Sequence, residues 1–285
     1  MPSLAERIRL ALAEDIPTTD VTTEAFVSDY PAEAVIIAKA DGVFCGGAVV
    51  ATVLGEFGIT PSVLISDGTR VFRGTTVTLF SGPVSAILKL ERVLLNLIQH
   101  LSGIATQTRR YVEALDDPAI QILDTRKTTP MWRDVEKQAV LAGGGFNHRH
   151  SLSDMVLIKE NHLADLARHG KLGDLRNRMA AVKTQFPGIK IEIEIENNTQ
   201  LETLDLGLAD YILLDNYPMD QLETALTLCK SRGFQAEIEV SGNITLDNIG
   251  RYKGLPIHRI SCGSLTHSVP ALDLSLRFSD DPSMV

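Results

Sequence analysis

Apolar residues recur at helical spacing from the start of the chain. Leu4, Ile8, Ala11 and Leu12 form one stripe, and Ser3-Leu4-Ala5-Glu6 has the form of a capping box, so an N-terminal helix is predicted. After a turn-rich stretch, residues 34–39 read as a strand closed by Asp41-Gly42. Residues 71–80 read as a strand pair interrupted at Gly74. A long helix is expected over 84–115, with Leu90, Val93, Leu94, Leu97, Leu101 and Ile104 on one face. Helices and strands mix here without a repeat, which is an α+β pattern.

From about residue 120 the rhythm changes. Short strand patterns at 120–124, 155–159, 191–196, 211–215, 237–241 and 259–262 alternate with helical ones, which predicts parallel βαβ units. Each of these strands ends in polar residues: Asp124 with Arg126 and Lys127, Lys159, Glu194 with Glu196, Asp215, Glu239 with Ser241, and Ser261 with Gly263-Ser264. An open doubly wound sheet gathers its polar groups at one switch point. Polar groups on every strand end suit a barrel whose C-terminal mouth is the site. Only six strands are legible, so the expected barrel is either incomplete or borrows strands that the pattern does not show. Loops are polar wherever they occur, but Ile-Glu-Ile-Glu-Ile-Glu over 191–196 puts three carboxylates on one face of one strand. That face needs cations or a polar cavity opposite it.

Composition narrows the class. The 285 residues carry 27 Lys and Arg against 36 Asp and Glu, a formal charge of −9. Nucleic acid and anionic membranes attract basic surfaces, so neither is the expected partner. The uncharged window 42–55 contains four glycines and falls short of the ~20 apolar residues of a membrane span. Acidic residues within the first twenty positions leave no secretory core. Cys45, Cys229 and Cys262 form neither a metal pattern nor a disulfide framework. A cytoplasmic location is expected.

Against that acidic background one window is cationic. Between Arg126 and Lys159 stand six Lys or Arg (126, 127, 133, 137, 149, 159) against three acids (Asp134, Glu136, Asp154), with His148 and His150 among them. Arg126 and Lys127 in Asp124-Thr-Arg-Lys-Thr-Thr-Pro130 suit an oxyanion, as a fork and a point charge. Three glycines precede Phe-Asn-His148-Arg149, where backbone can approach a ligand closely. Each segment alone would also serve as a solvated loop or a linker. Glu194, Asp215 and Glu239 end three successive strands and could position sugar hydroxyls or hold Mg²⁺ through water. Ser241-Gly242-Asn243 and Gly263-Ser264 are small-residue loops leading to helices after the last two strands, where barrels bind phosphate. The residues thus predict a sugar phosphate at one edge and a multiply charged acid at the other.

An ordered set of motifs then carries a resemblance. Glu14-Asp15, Asp20-Val-Thr-Thr23, Glu91-Arg-Val-Leu-Leu-Asn96, Leu101-Ser-Gly-Ile-Ala-Thr106, Asp124-Thr-Arg-Lys-Thr-Thr-Pro130, Asn147-His-Arg149, Leu157-Ile-Lys-Glu-Asn-His162, Leu213-Leu-Asp-Asn216 and Ser264-Leu-Thr-His267 together resemble the quinolinate phosphoribosyltransferase family over about 5–277. The resemblance implies an N-terminal α/β sandwich over 1–115, rejoined by about 268–285, and an open α/β barrel over 116–267. It implies that quinolinate and phosphoribosyl pyrophosphate, with Mg²⁺, give nicotinate mononucleotide, pyrophosphate and CO₂. It also implies a homodimer or higher assembly with shared sites. By matching positions, Arg126, His148, Arg149 and Lys159 would hold the quinolinate carboxylates, and Arg92 would reach the neighbouring subunit. Lys127, Glu194 and Asp215 would be catalytic, the two acids also meeting ribose and metal. Glu239, Ser241, Gly242, Asn243, Gly263, Ser264 and His267 would bind the phosphoribosyl group.

Three places depart from the family's pattern: Pro17-Thr18-Thr19, Phe146, and His150-Ser151 after Arg149. Rival readings are a molybdenum-locus relative of the same fold, a nicotinate phosphoribosyltransferase and a non-catalytic sensor. The intact dicarboxylate cations count against the first two, and the retained Glu194 and Asp215 against the third.

Overall fold

A computed structural model describes residues 1–279 and divides the chain into two compact units. The first holds residues 1–109, 128–144 and the chain from Leu265 on; the second holds 110–127 and 145–264. The last six residues of the expected 268–285 return lie outside the described residues.

In the first unit, strands β1 (Pro31–Ala38), β3 (Pro61–Leu64) and β5 (Thr76–Pro83) form an antiparallel sheet with the C-terminal β12 (Leu274–Phe278). Its order is β12-β1-β5-β3, and β2 (Gly42–Val43) pairs separately with β4 (Arg70–Val71). The expected N-terminal helix forms over Leu4–Asp15, and both halves of its capping box are made. A helix at Gly47–Glu56, absent from the sequence reading, buries Val49, Val50, Val53 and Leu54. The helix Val84–Leu115 buries Leu90, Val93, Leu94, Leu101 and Ile104 of the apolar face expected of it and half-buries Leu97.

The segment 128–144, assigned to the barrel from sequence, belongs instead to the first unit. Its helix Arg133–Ala142 sends Val135, Ala139 and Val140 into that unit's core. Buried Glu136 accepts from the Thr129 amide at 3.1 Å and meets the His100 ring at 2.9 Å.

The second unit is a six-stranded parallel sheet with a polar interior. It comprises β6 (Gln121–Leu123), β7 (Met155–Ile158), β8 (Lys190–Ile195), β9 (Tyr211–Asp215), β10 (Glu237–Ser241) and β11 (Arg259–Ser261). The order β6-β11-β10-β9-β8-β7 leaves β6 and β7 unpaired with each other, so the barrel is open there. Phe146 bridges Leu123 beside the free edge of β6. All six strands match the sequence-predicted ones to within one or two residues. No helix among the described residues is long and apolar enough to cross a membrane.

Candidate active site

The site of the second unit is built on strand ends in two layers. Alternation along a strand returns side chains to one face every second residue, about 7 Å apart along its axis. Glu192 and Glu194 therefore share a face of β8 at different depths, as do Glu239 and Ser241 on β10 and Arg259 and Ser261 on β11. In the sheet register Glu239 lies opposite Arg259, and Ser241 opposite both Asp215 and Ser261.

The deeper layer is ionic. Glu192 and Glu239 are fully buried, and both reach His148 Nε2, at 2.9 and 3.4 Å. Arg259 Nε lies 3.2 Å from the far oxygen of Glu239, with its guanidinium 4.2 Å over the Tyr211 ring. Burial alone would lower the His148 pKa, but the hydrogen bonds and charges of Glu192 and Glu239 outweigh it, so the three groups together hold a proton more tightly than a free imidazole would. Glu239 is thus placed away from its expected phosphoribosyl role. It stands one layer below Ser241 with its oxygens turned to His148 and Arg259.

The outer layer carries the expected cations and acids. Buried Asp124, just past β6, accepts the His148 amide at 2.9 Å and so anchors the segment that bears His148 and Arg149. Arg149 donates through Nη1 to the Met155 carbonyl at 3.1 Å. Burial and the neighbouring Arg126 charge lower its pKa, so two guanidinium groups are crowded together where an anion would relieve them. Lys127 is exposed, its amide donating to Thr125 Oγ1 at 3.0 Å. Lys159 Nζ lies 2.5 Å from Glu194 Oε2, with the amine half exposed and the carboxylate nearly buried. Burial and a hydrogen bond with Glu160 push the Glu194 carboxyl up to about 7, against the pull of Lys159.

On β9, Asp215 accepts from Ser241 Oγ and from Asn216 Nδ2. The loops after β9 and β10 interlock. Asn216, Gly242 and Asn243 all adopt left-handed backbone, and a Cβ on Gly242 would stand 2.1 Å from Asn216 Oδ1. Only glycine fits there. Tyr111 Oη meets Ser264 Oγ at 3.2 Å and the Ile244 carbonyl at 3.3 Å, tying the two small-residue loops together. A cleft of about 230 Å³ borders the same loops, lined by Asn216, Tyr217, Gly242, Asn243, Arg251 and Tyr252 among others.

Both halves of the chain match one family. Residues 20–102 fit the N-terminal domain, and residues 104–277 the C-terminal domain, of the model described as quinolinate phosphoribosyl transferase. The chain belongs to the quinolinate phosphoribosyltransferase family. A probable nicotinate-nucleotide pyrophosphorylase [carboxylating] of Bacillus subtilis is 41% identical, covering 92% of this chain and 89% of its own. The nicotinate-nucleotide pyrophosphorylase [carboxylating] of Mycobacterium leprae is 36% identical, with 95% of each chain covered. Among solved structures, NadC from Streptococcus pyogenes is 38% identical with a TM-score of 0.85, covering 96% of this chain and 98% of that one.

Of the residues that resemblance to the quinolinate phosphoribosyltransferases singled out, the second unit gathers Arg126, Lys127, His148, Arg149, Lys159, Glu194, Asp215, Ser241, Gly242, Asn243, Gly263 and Ser264. Arg92 and His267 belong to the first unit. Arg92 is exposed on its helix, 4.0 Å from Glu91, and His267 meets Ser268 Oγ at 2.6 Å. Sequence reasoning missed Glu192, Arg259 and Asp154. Asp154 closes the loop after Arg149 by accepting from the amides of His150 and Ser151, at 2.6 and 2.7 Å. Although burial opposes it, those bonds hold the Asp154 pKa down at about 2.

Proposed function

We propose that this protein transfers the phosphoribosyl group of phosphoribosyl pyrophosphate to quinolinate and decarboxylates the product, feeding de novo NAD synthesis. The observation that supports it best is a set of cations, Arg126, Arg149 and Lys159, grouped with His148 in one unit of an acidic protein with Glu194 and Asp215 on adjacent strands. Quinolinate brings two carboxylates. Arg126 and Arg149 give each a forked donor and Lys159 adds a single one, while His148, with both ring nitrogens engaged, holds the Arg149 backbone in place. The amides and hydroxyls of Ser241, Gly242, Asn243, Gly263 and Ser264 receive the 5′-phosphate, and Lys127 faces the pyrophosphate.

The pyridine nitrogen attacks C1′ as the bond to pyrophosphate breaks. Cationic character grows at C1′, where the carboxylates of Glu194 and Asp215 stabilise it. Once ribosylated, the ring nitrogen is positively charged. It takes up the electron pair left when the carbon–carbon bond to the adjacent carboxylate breaks, and that ring carbon is then protonated as CO₂ leaves. No side chain becomes covalently attached, so catalysis is positioning and electrostatics.

The same acids fit Mg²⁺. They offer oxygen donors only, and the Asp215 charge is among the influences raising the Glu194 carboxyl, a sign of surplus negative charge that a cation relieves. When bound, Mg²⁺ would neutralise pyrophosphate charge. The protein is expected to be cytoplasmic and at least dimeric.

The deciding assay is CO₂ release from carboxyl-labelled quinolinate. Release is expected only when quinolinate, phosphoribosyl pyrophosphate and Mg²⁺ are all present, and in step with nicotinate mononucleotide. A folded sample that releases none overturns the assignment.

Sharing of the site between subunits has its own test. Mixing Arg92→Ala with Lys159→Ala protein is expected to restore part of the lost activity, because each hybrid dimer would hold one intact site. Absence of recovery after verified subunit exchange excludes the shared site.

A further inference from the structure

The deeper layer of the barrel is costly unless it does something. Two buried carboxylates are tolerated only when their charge is met inside the protein. Arg259 meets one of them, and one further proton held among the His148 ring and the two carboxylates balances the set. The His148 ring is fixed from both sides. Glu192 Oε2 and Glu239 Oε1 take Nε2, while Nδ1 accepts the Arg149 amide at 2.8 Å. These contacts place the ring proton at Nε2. They also tie the ring's orientation to the backbone of the next residue, which itself carries a cation of the proposed site.

Four strands bring a charged group towards this ring. Asp124 follows β6, Glu192 lies on β8, Glu239 on β10 and Arg259 on β11, while Arg149 follows the ring in sequence with Arg126 near it. The ligand atoms of His148, Glu192 and Glu239 lie within 4.8 Å of one another, a spacing that could also hold a metal ion. Arg259 already supplies a cation to Glu239 and disfavours a second one.

We propose that Glu192 and Glu239, balanced by Arg259, are positioning residues that fix the His148 ring and the Arg149 backbone and so set the spacing of the dicarboxylate anchor. This rests on the proposed quinolinate reaction and extends it to residues that touch no substrate. Around metal-bound histidines, loss of such a supporting carboxylate costs roughly 10–100-fold, and the lower end is expected here.

The test uses full-length Glu192→Gln protein, with steady-state kinetics and ¹⁵N-histidine NMR. Expected is a rise of about tenfold in the quinolinate KM, with the phosphoribosyl pyrophosphate KM and kcat within about twofold. The His148 ring signal, assigned with His148→Asn, should lose its fixed Nε2–H form. Equal rises in both KM values, or an unmoved ring signal, would overturn the proposal. So would a stoichiometric divalent ion that Glu192→Gln releases. Glu239→Gln and Arg259→Lys carry the same measurements if Glu192→Gln does not fold. Should the unaltered protein lack quinolinate turnover, the reaction assignment fails, while the ring signal still decides the positioning role.

Discussion

Arg149→Ala is expected to raise the KM for quinolinate by about 100-fold or more, while the KM for phosphoribosyl pyrophosphate stays within about threefold. A charge-assisted hydrogen bond contributes roughly 1.5–3 kcal/mol, and a forked pair makes two of them. A hundredfold change corresponds to about 2.7 kcal/mol, so the loss of one such pair is enough. The structure adds a reason for the effect to be selective. Arg149 is held by the Met155 carbonyl and crowded by Arg126, whereas the small-residue loops after β10 and β11 are tied to other partners, Asn216 and Tyr111. Truncating Arg149 leaves those loops untouched. Arg149→Lys should recover little, because an ammonium cannot form the fork. Equal rises in both KM values would remove the carboxylate role from Arg149.

The barrel was legible because its strands announce themselves twice, by short apolar runs and by polar ends. Depth within it was not. Glu192, Glu194 and Glu196 share one face by alternation, and that face does need the cations expected opposite it. The sequence has no marker that Glu192 sits against a buried histidine while Glu194 meets a half-exposed lysine. Register between strands decides this, and it also moved Glu239 from the phosphoribosyl group to the ionic layer. Arg259 stands at the beginning of a strand, where no end-of-strand reading looks.

Two other differences have a common physical origin. The stripe Val135, Ala139 and Val140 specifies a buried helix face but not the core that receives it, and the core proved to be that of the first unit. The window 42–55 lacks charge and is too short to span a membrane, and its Val49, Val50, Val53 and Leu54 lie on a helix buried in the same core. At the departures from the family pattern, local bonds fix the backbone. Asp154 closes the His150-Ser151 loop, and Asp20 caps the next helix through the amides of Thr22 and Thr23 directly after Pro17-Thr18-Thr19. Phe146 leaves its side chain exposed while its backbone pairs with β6.

Lys159→Ala is expected to lower activity at pH 7 by about 100-fold or more, because it removes the partner of a nearly buried carboxylate. The pH profile should change with it. Burial and the bond with Glu160 already bring the Glu194 carboxyl up to about 7, and Lys159 works in the opposite direction. Without the ammonium the pKa moves above 7, so at neutral pH most of Glu194 is protonated and cannot stabilise positive charge at C1′. Raising the pH ionises it. Residual activity of Lys159→Ala, read at one saturating Mg²⁺ concentration, should therefore keep climbing to a higher pH than that of the unaltered protein. Lys159→Arg restores the positive charge near Glu194 and should return the profile to that of the unaltered protein, with quinolinate affinity still impaired by the bulkier group. A Lys159→Ala profile parallel to that of the unaltered protein would mean that Glu194 does not need its charge, and the electrostatic role assigned to it would fall.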